Sequence, residues 1–194
     1  MSALTATFTL EIEAAKLQLL RTDERLRTRM AGAIMGTVMH LCEEHLDRHY
    51  VGKPNKLGGS STGYWGKVLK SIAGTMAGDT VTVTMSGVGL AMKYYGGVIK
   101  PSGRISSVTG KPITRLAIPI DAAAHGKVPA MFGKSLIRVG GGLFSPLAGR
   151  QIGQQLFILA KQATIKPDKN ILPADIVVQT RCAQAIELLV PAQS

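Results

Sequence analysis

Residues 26–49 read Leu26-Arg-Thr-Arg-Met30-Ala-Gly-Ala-Ile34-Met-Gly-Thr-Val38-Met-His-Leu-Cys42-Glu-Glu-His-Leu-Asp-Arg-His49, and the spacing of their apolar residues decides the fold class. Leu26, Met30, Ala33, Ile34, Thr37, Val38, Leu41, Cys42 and His45 recur at steps of three and four, which places them on one face of a helix. Thr22 or Asp23 can cap its start, and Glu24 lies in the first turn, where the helix dipole favours an anion. The spacing predicts a helix of about 25 residues ending near His49, because Gly52 and Pro54 cannot continue it.

On the N-terminal side of this helix, residues 14–20 read as a further helical stretch, and residues 7–12 alternate like a short strand. On its C-terminal side, Lys53-Pro-Asn-Lys-Leu-Gly-Gly-Ser-Ser-Thr-Gly63 is a polar connection. Residues 65–72 then suit a short helix with Trp65, Val68, Leu69 and Ile72 on one side. Gly78-Asp79 makes a turn between residues 73–77 and 80–86, where Val81, Val83 and Met85 alternate with threonines, as in a hairpin with one buried face. Residues 92–101 and 114–120 form two extended arms around a polar, basic tip, a protruding long hairpin whose tip, 100–112, is expected to be mobile. Residues 136–139 and 155–163 are strand candidates near Gly140-Gly-Gly142, and residues 174–190 form an amphipathic helix. The elements are segregated, not alternating. The expectation is a single α+β domain over 1–194, with residues 1–25 an extension and the long helix packed on an antiparallel sheet.

Composition agrees with a folded domain: 194 residues, 45% of them hydrophobic, suffice for a core, and 22 Gly with 9 Pro fall short of low complexity. The formal charge of +11 is a different matter, because such an imbalance repels itself unless a polyanion or acidic partner neutralises it. Residues 1–47 carry 5 basic and 7 acidic side chains, 48–166 carry 16 and 2, and 167–194 carry 2 and 3. The excess lies in the middle, around Lys93, Lys100, Arg104, Lys111 and Arg115. Four Phe, four Tyr and one Trp are too few for a base-stacking platform, so the charge suits phosphate contact without sequence reading.

Cys42 and Cys182 stand 140 positions apart on two amphipathic segments and do not resemble a disulfide framework, which fits a reducing compartment. The first residues lack the pattern of a secretory signal, and no stretch reaches the length of a membrane span.

Several short motifs imitate chemistry. Gly59-Ser-Ser61-Thr-Gly63 matches G-x-S-x-G, with Asp121 and His125 following in the right order, but that elbow needs a buried strand before the serine and residues 53–58 are not one. Gly133-Lys134-Ser135 looks like the end of a phosphate loop, yet the glycine required five positions earlier is Val128. Gly87-Val-Gly89 lacks the third glycine of a dinucleotide loop. Cys42, His45 and His49 share a helix face, but a structural zinc takes about four ligands from separated pairs, and these residues also continue the core stripe. With only Asp79 and Asp121 in the basic middle, acid–base catalysis has little to work with. The reading is of a protein that is no enzyme and uses no metal or cofactor.

Other stretches carry a family resemblance. The long helix, Pro54-Asn-Lys-Leu-Gly58 with Tyr64-Trp65, Val81-Thr-Val-Thr84, Tyr94-Tyr-Gly-Gly-Val-Ile-Lys-Pro101, Leu116-Ala-Ile-Pro-Ile120 and Leu156-Phe-Ile-Leu-Ala-Lys-Gln-Ala-Thr-Ile165 follow one another in this order. Leu172-Pro173 closes the series. Together they resemble the virion morphogenesis or tail completion proteins of tailed bacteriophages over roughly residues 26–190. In that family a Gly-Gly-x-Ile-x-Pro arm leads through a variable basic loop to a Leu-x-Ile-Pro strand. The sequence departs from the family where Ile165-Lys-Pro-Asp-Lys-Asn-Ile-Leu-Pro173 replaces an Ile-Pro-Ala-Arg-Pro run.

The resemblance implies a structural subunit, made in the host cytoplasm and carried in the virion, that forms a ring, a hexamer, at the head–tail junction. Its partners would be other copies of itself, a neck or connector protein, the tail tube protein and duplex DNA passing through the lumen. On this reading Lys100, Arg104, Lys111 and Arg115 face the DNA, and Tyr94, Tyr95, Ile99, Ile165 and Leu172 are candidates for subunit contacts. A neck adaptor, or a non-enzymatic basic nucleic-acid-binding protein, would use the same surface.

Overall fold

In the computed structural model of the chain, which describes residues 4–10, 24–55, 57–77, 80–107, 109–147 and 151–189, the long helix α1 runs over Glu24–His49. The expected helix at 14–20, the capping residues Thr22 and Asp23 and the turn Gly78-Asp79 lie outside the described residues. Met30, Ile34, Val38, Cys42 and Leu46 are the fully buried positions of α1. They step by four, so the contact row is a single inclined ridge that winds slowly around the helix, and Leu26, Ala31, Met35 and Met39 extend it as partly buried neighbours. Burying each large member of such a row contributes about 1.5–3 kcal/mol.

The chain divides into two compact units. The first, unit 1, comprises 1–52, 63–95 and 167–194. Its sheet has the order β1-β3-β2, built antiparallel from β1 (Leu4–Leu10), β2 (Ala73–Ala77) and β3 (Thr80–Gly87). Val81, Val83 and Met85 alternate inward on β3 and are buried in the same cluster as the ridge of α1. At Gly74 the helix meets the backbone of β2 so closely that a Cβ there would sit 2.5 Å from Met35 Cγ and 2.9 Å from Met39 Sδ. The short helix α2 (Tyr64–Leu69) adds Val68 to this core, and the C-terminal helix α4 (Asp175–Glu187) adds Cys182 and Ile186.

Between β3 and α4 in the sequence stands α3 (Leu90–Tyr95), where the amino-acid pattern suggested the start of an extended arm. Gly89 and Gly96 hold φ of 75° and 79°, a left-handed backbone that bounds this turn of helix on both sides. Leu90, fully buried, and Tyr94 pack one helical step apart against the core.

Unit 2 comprises 53–62 and 96–166. Its main sheet has the order β5-β8-β7-β6, from β5 (Leu116–Pro119), β6 (Ile137–Val139), β7 (Gly142–Pro146) and β8 (Ile152–Ala160). Strand β7 was not separable in the sequence from the Gly140-Gly-Gly142 break that it follows. A second, two-stranded sheet pairs β4 (Gly97–Ile99) with β9 (Ala163–Ile165). The two arms of the expected hairpin therefore find their partners elsewhere, β4 on β9 and β5 on β8. Only residues 103–113 pair with each other, as an irregular ribbon closed by Ile113 N–H to Arg104 O at 2.8 Å and Ser106 N–H to Lys111 O at 2.9 Å. The buried cluster of unit 2 is small: Ala124, Leu156 and Phe157, with Phe132 edge-on to Phe157 at 5.7 Å. The whole is an α+β fold with a long N-terminal helix, antiparallel sheets and a C-terminal helix.

Candidate functional site

The division into units sharpens the charge pattern. Unit 2 carries 12 basic and 1 acidic side chains, unit 1 carries 11 and 11, so the whole formal charge of +11 belongs to unit 2. Its single carboxylate, Asp121, caps the 3-10 turn Ala122–Ala124 by accepting from Ala123 N–H at 2.8 Å, and it also accepts from the Gln154 side-chain amide. Unit 2 thus holds no spare counter-charge of its own.

Lys100, Arg104, Lys111 and Arg115 flank or lie within the 103–113 ribbon, and all four are exposed. Among the described residues none of them makes an ion pair. Backbone pairing of the ribbon brings the strands that carry Arg104 and Lys111 side by side: Arg104 and Ile113 share a hydrogen bond, Ile105 bridges Pro112 and Ser106 N–H donates to Lys111 O, while Lys100 and Arg115 flank the pair. Ile105 is 65% exposed beside them. No Tyr or Trp occurs in unit 2, Phe132 and Phe157 belong to its buried cluster and Phe144 is half-buried on β7, so the surface can neutralise phosphates but presents no fully exposed ring on which to stack bases.

The candidates for subunit contacts separate into three settings. Ile99 and Ile165 sit half-buried in the β4–β9 ladder of unit 2. Leu172 is only 8% exposed in the core of unit 1, so its side chain is fully occupied within its own subunit and offers no contact surface. Tyr94 and Tyr95 stand edge to face with centroids 4.8 Å apart, and the Lys169 ammonium lies over both rings at 3.9 and 4.4 Å. Tyr95 remains 63% exposed.

These tyrosines belong to a clamp that local sequence gave no sign of. Asp168 N–H donates to Lys93 O at 2.9 Å, Tyr50 OH donates to Asp168 Oδ2 at 3.1 Å, and His45 Nε2 lies 2.7 Å from Asn170 O. Lys93 Nζ stands over the rings of Tyr64 and Trp65, at 5.3 and 5.8 Å, and Trp65 packs on Tyr50 at 4.5 Å. The segment around Lys169–Ile171 is thereby strapped to α3 and, through His45 and Tyr50, to residues more than 100 positions away in and just beyond α1. Burial, with help from the Asp168 carboxylate, pushes the Tyr50 phenol up to about 12. Burial followed by Tyr95 and Asp175 raises Tyr94 as well.

The chemical imitations separate in the structure. The loop carrying Ser61 does pack beside Ala122, where a Cβ on Gly59 would lie 3.2 Å from Ala122 O, but Asp121 is committed to its cap and to Gln154. No strand precedes Ser61; residues 53–55 and 57–62 are irregular. Gly133 takes φ 62° and ψ −146°, kinking the 3-10 segment Pro129–Ser135, and Ser135 Oγ donates to Phe132 O at 2.6 Å. Cys42 is buried in the core with its thiol raised to about 11 by burial, while His45 turns to Asn170 and stacks on His49 at 4.7 Å. No helix among the described residues is long and apolar enough to cross a membrane. Comparisons with protein-family models, with curated proteins and with solved structures return no match.

Proposed function

We propose that this chain is a structural subunit of a tailed-bacteriophage virion, a tail terminator or tail completion protein that assembles into a hexameric ring at the head–tail junction. The ring would join a neck or connector protein to the tail tube and let duplex DNA pass. The observation that carries this reading is the segregation of charge and core. Unit 1 is neutral and holds 14 of the 17 buried hydrophobic residues among the described residues, whereas unit 2 is +11 and holds three.

A unit with so thin a core and with Val98, Ile105, Val128, Met131, Leu147 and Ile152 each about half exposed or more gains stability when another surface covers it. Heterologous contacts that close on themselves supply that cover in a ring. The basic ribbon then meets the DNA backbone, and the absence of exposed aromatic rings in unit 2 suits contact that ignores base sequence. Subunit-contact candidates on this reading are Tyr94, Tyr95, Ile99 and Ile165, without Leu172. A neck adaptor would need the same kind of subunit. The concentration of charge in one unit also favours a second reading, a basic nucleic-acid-binding protein that works without a ring.

Light scattering on the purified protein separates these readings. A single closed oligomer in the absence of nucleic acid supports the virion subunit; a monomer that binds duplex with steep salt dependence supports the second. Imaging of particles labelled on this protein should give one band at the neck, and label spread along the tail or absent from particles would overturn the assignment.

A further inference from the structure

We infer that the outer face of the sheet β5-β8-β7-β6 is a docking surface for the helix α4 of a neighbouring copy. The inference rests on the ring reading above and assigns the contact that closes it.

Register shows which side of this sheet is covered. Pro119 and Leu143 both pair with Phe157, and Ala117 stands two residues from Pro119, so these side chains share the face that holds the buried cluster of unit 2. The other face carries Leu116 and Ile118 of β5, Ile158 of β8, Phe144 of β7, and Ile137 and Val139 of β6. Ile118 is opposite Ile158, Ile158 and Val139 are both opposite Gly142, and Ile137 is opposite Phe144. A Cβ on Gly142 would lie 2.8 Å from Phe144 Cε2, so the ring leans across the same side of the sheet. None of these six side chains carries charge, and none belongs to either buried cluster. Val139 and Ile158 are 42% and 43% exposed. An apolar sheet face in this state is one layer of a two-layer packing.

Charge selects the second layer. Unit 2 holds 12 basic side chains and one acidic one, so another unit 2 is repelled, and the occupant has to be apolar with carboxylates at its margins. The outer side of α4 has that character. Ile176, Thr180, Gln184 and Leu188 recur along it at every fourth residue, and Ile176, Val177 and Leu188 are 68%, 44% and 88% exposed. Asp175 and Glu187 stand exposed at its two ends and form no ion pair among the described residues, against Arg181 as the single basic side chain of the helix. Size fits as well. The 13-residue helix is about 20 Å long and about 10 Å across, and four strands span about 14 Å. Both surfaces are exposed in the folded chain, so their cover comes from outside it. Two unlike, complementary patches on one chain make a head-to-tail contact, the kind that closes into rings.

Two variants of the full chain break one surface each: Ile176→Lys with Leu188→Lys on the helix, and Val139→Glu with Ile158→Glu on the sheet. In light scattering each alone should be a monomer, about a sixfold fall in mass from the ring, with its melting transition retained. Mixed in equal amounts, they should give a one-to-one dimer and nothing larger, because each keeps the surface that the other lacks. If the doubly substituted sheet does not fold, Val139→Glu alone, on the edge strand β6, takes its place in the mixture. A folded variant of either surface that keeps the ring overturns the inference, as do two monomers that fail to combine. The unmodified protein keeps the two readings apart: a ring that survives these substitutions removes only this contact, whereas an unmodified monomer removes the ring.

Discussion

Replacing Lys100, Arg104, Lys111 and Arg115 together by glutamine removes four of the 12 basic side chains of unit 2 and leaves its packing untouched, since all four are exposed and make no ion pair among the described residues. If each meets a phosphate, each contributes about 0.9 to the slope of log K against log salt, and the quadruple variant should lose about 3.6 of that slope. Between about 50 and 200 mM salt, the affinity of the unchanged protein should therefore fall about 150-fold more than that of the variant. The assay is fluorescence anisotropy of a short duplex titrated at several salt concentrations, repeated with a second duplex of unrelated sequence. Thermal melting serves as the folding control, and the midpoint should stay within a few degrees because exposed substitutions of this kind shift stability by about 0.5 kcal/mol or less. Two results refute the reasoning. An unchanged slope would mean that the ribbon does not lie on the backbone, and a loss confined to one duplex would mean that it reads bases.

Four further outcomes are expected. Gly74→Val drives a branched side chain into Met35 and Met39 and should destabilise unit 1 by about 1–3 kcal/mol in denaturant unfolding; an unchanged midpoint would show that α1 does not lie on β2 there. A double-mutant cycle on Lys169→Met and Tyr94→Leu should return a coupling of about 0.5–1 kcal/mol, and additivity would dissolve the clamp. Tyr50 has a folded pKa of about 12 against an ordinary value of 10.0, so its contribution is whole below pH 10 and is lost as pH rises towards 12; Tyr50→Phe should flatten that part of a stability-against-pH curve. Ser61→Ala should leave unchanged any hydrolysis measured with the preparation, because the carboxylate in the matching order is held by its cap.

What was legible in the sequence was what local periodicity writes. The ridge Met30–Ile34–Val38–Cys42–Leu46 and the alternation Val81–Val83–Met85 each name their own buried face, so α1, β3 and the contact between them could be read before any coordinates. The helix at 90–95 was not, since Leu90 and Tyr94 make one turn only and the glycines on either side look like those of a loop. The arms at 97–99 and 116–119 read as partners of each other because they flank one polar tip, yet a short strand takes whichever edge the fold presents, and β9 and β8 present it. The four basic residues of the ribbon were visible by type and spacing. The clamp was not: Tyr50 with Asp168 and His45 with Asn170 are joined only by the fold, across more than 100 positions.

Leu172 shows why a motif is a weaker guide than a side chain's surroundings. It closes the run that resembles phage tail completion proteins and so looked like contact surface, but in the fold it is packed with Ile171 among the residues of α1 and α4. The strap that carries it is pinned at Asp168, Lys169 and Asn170, and the chain leaves unit 1 for unit 2 after Tyr95 and returns before Pro167. Two of the four crossings between the units, those after Tyr95 and before Pro167, therefore adjoin one set of contacts within unit 1, Lys169 on Tyr94 and Tyr95 and Asp168 on Lys93. On the ring reading, unit 2 presents charge that must tolerate moving DNA. Weak, sequence-blind phosphate contacts are what such a passage requires, because each base-specific contact would add an energetic step that the DNA had to climb out of.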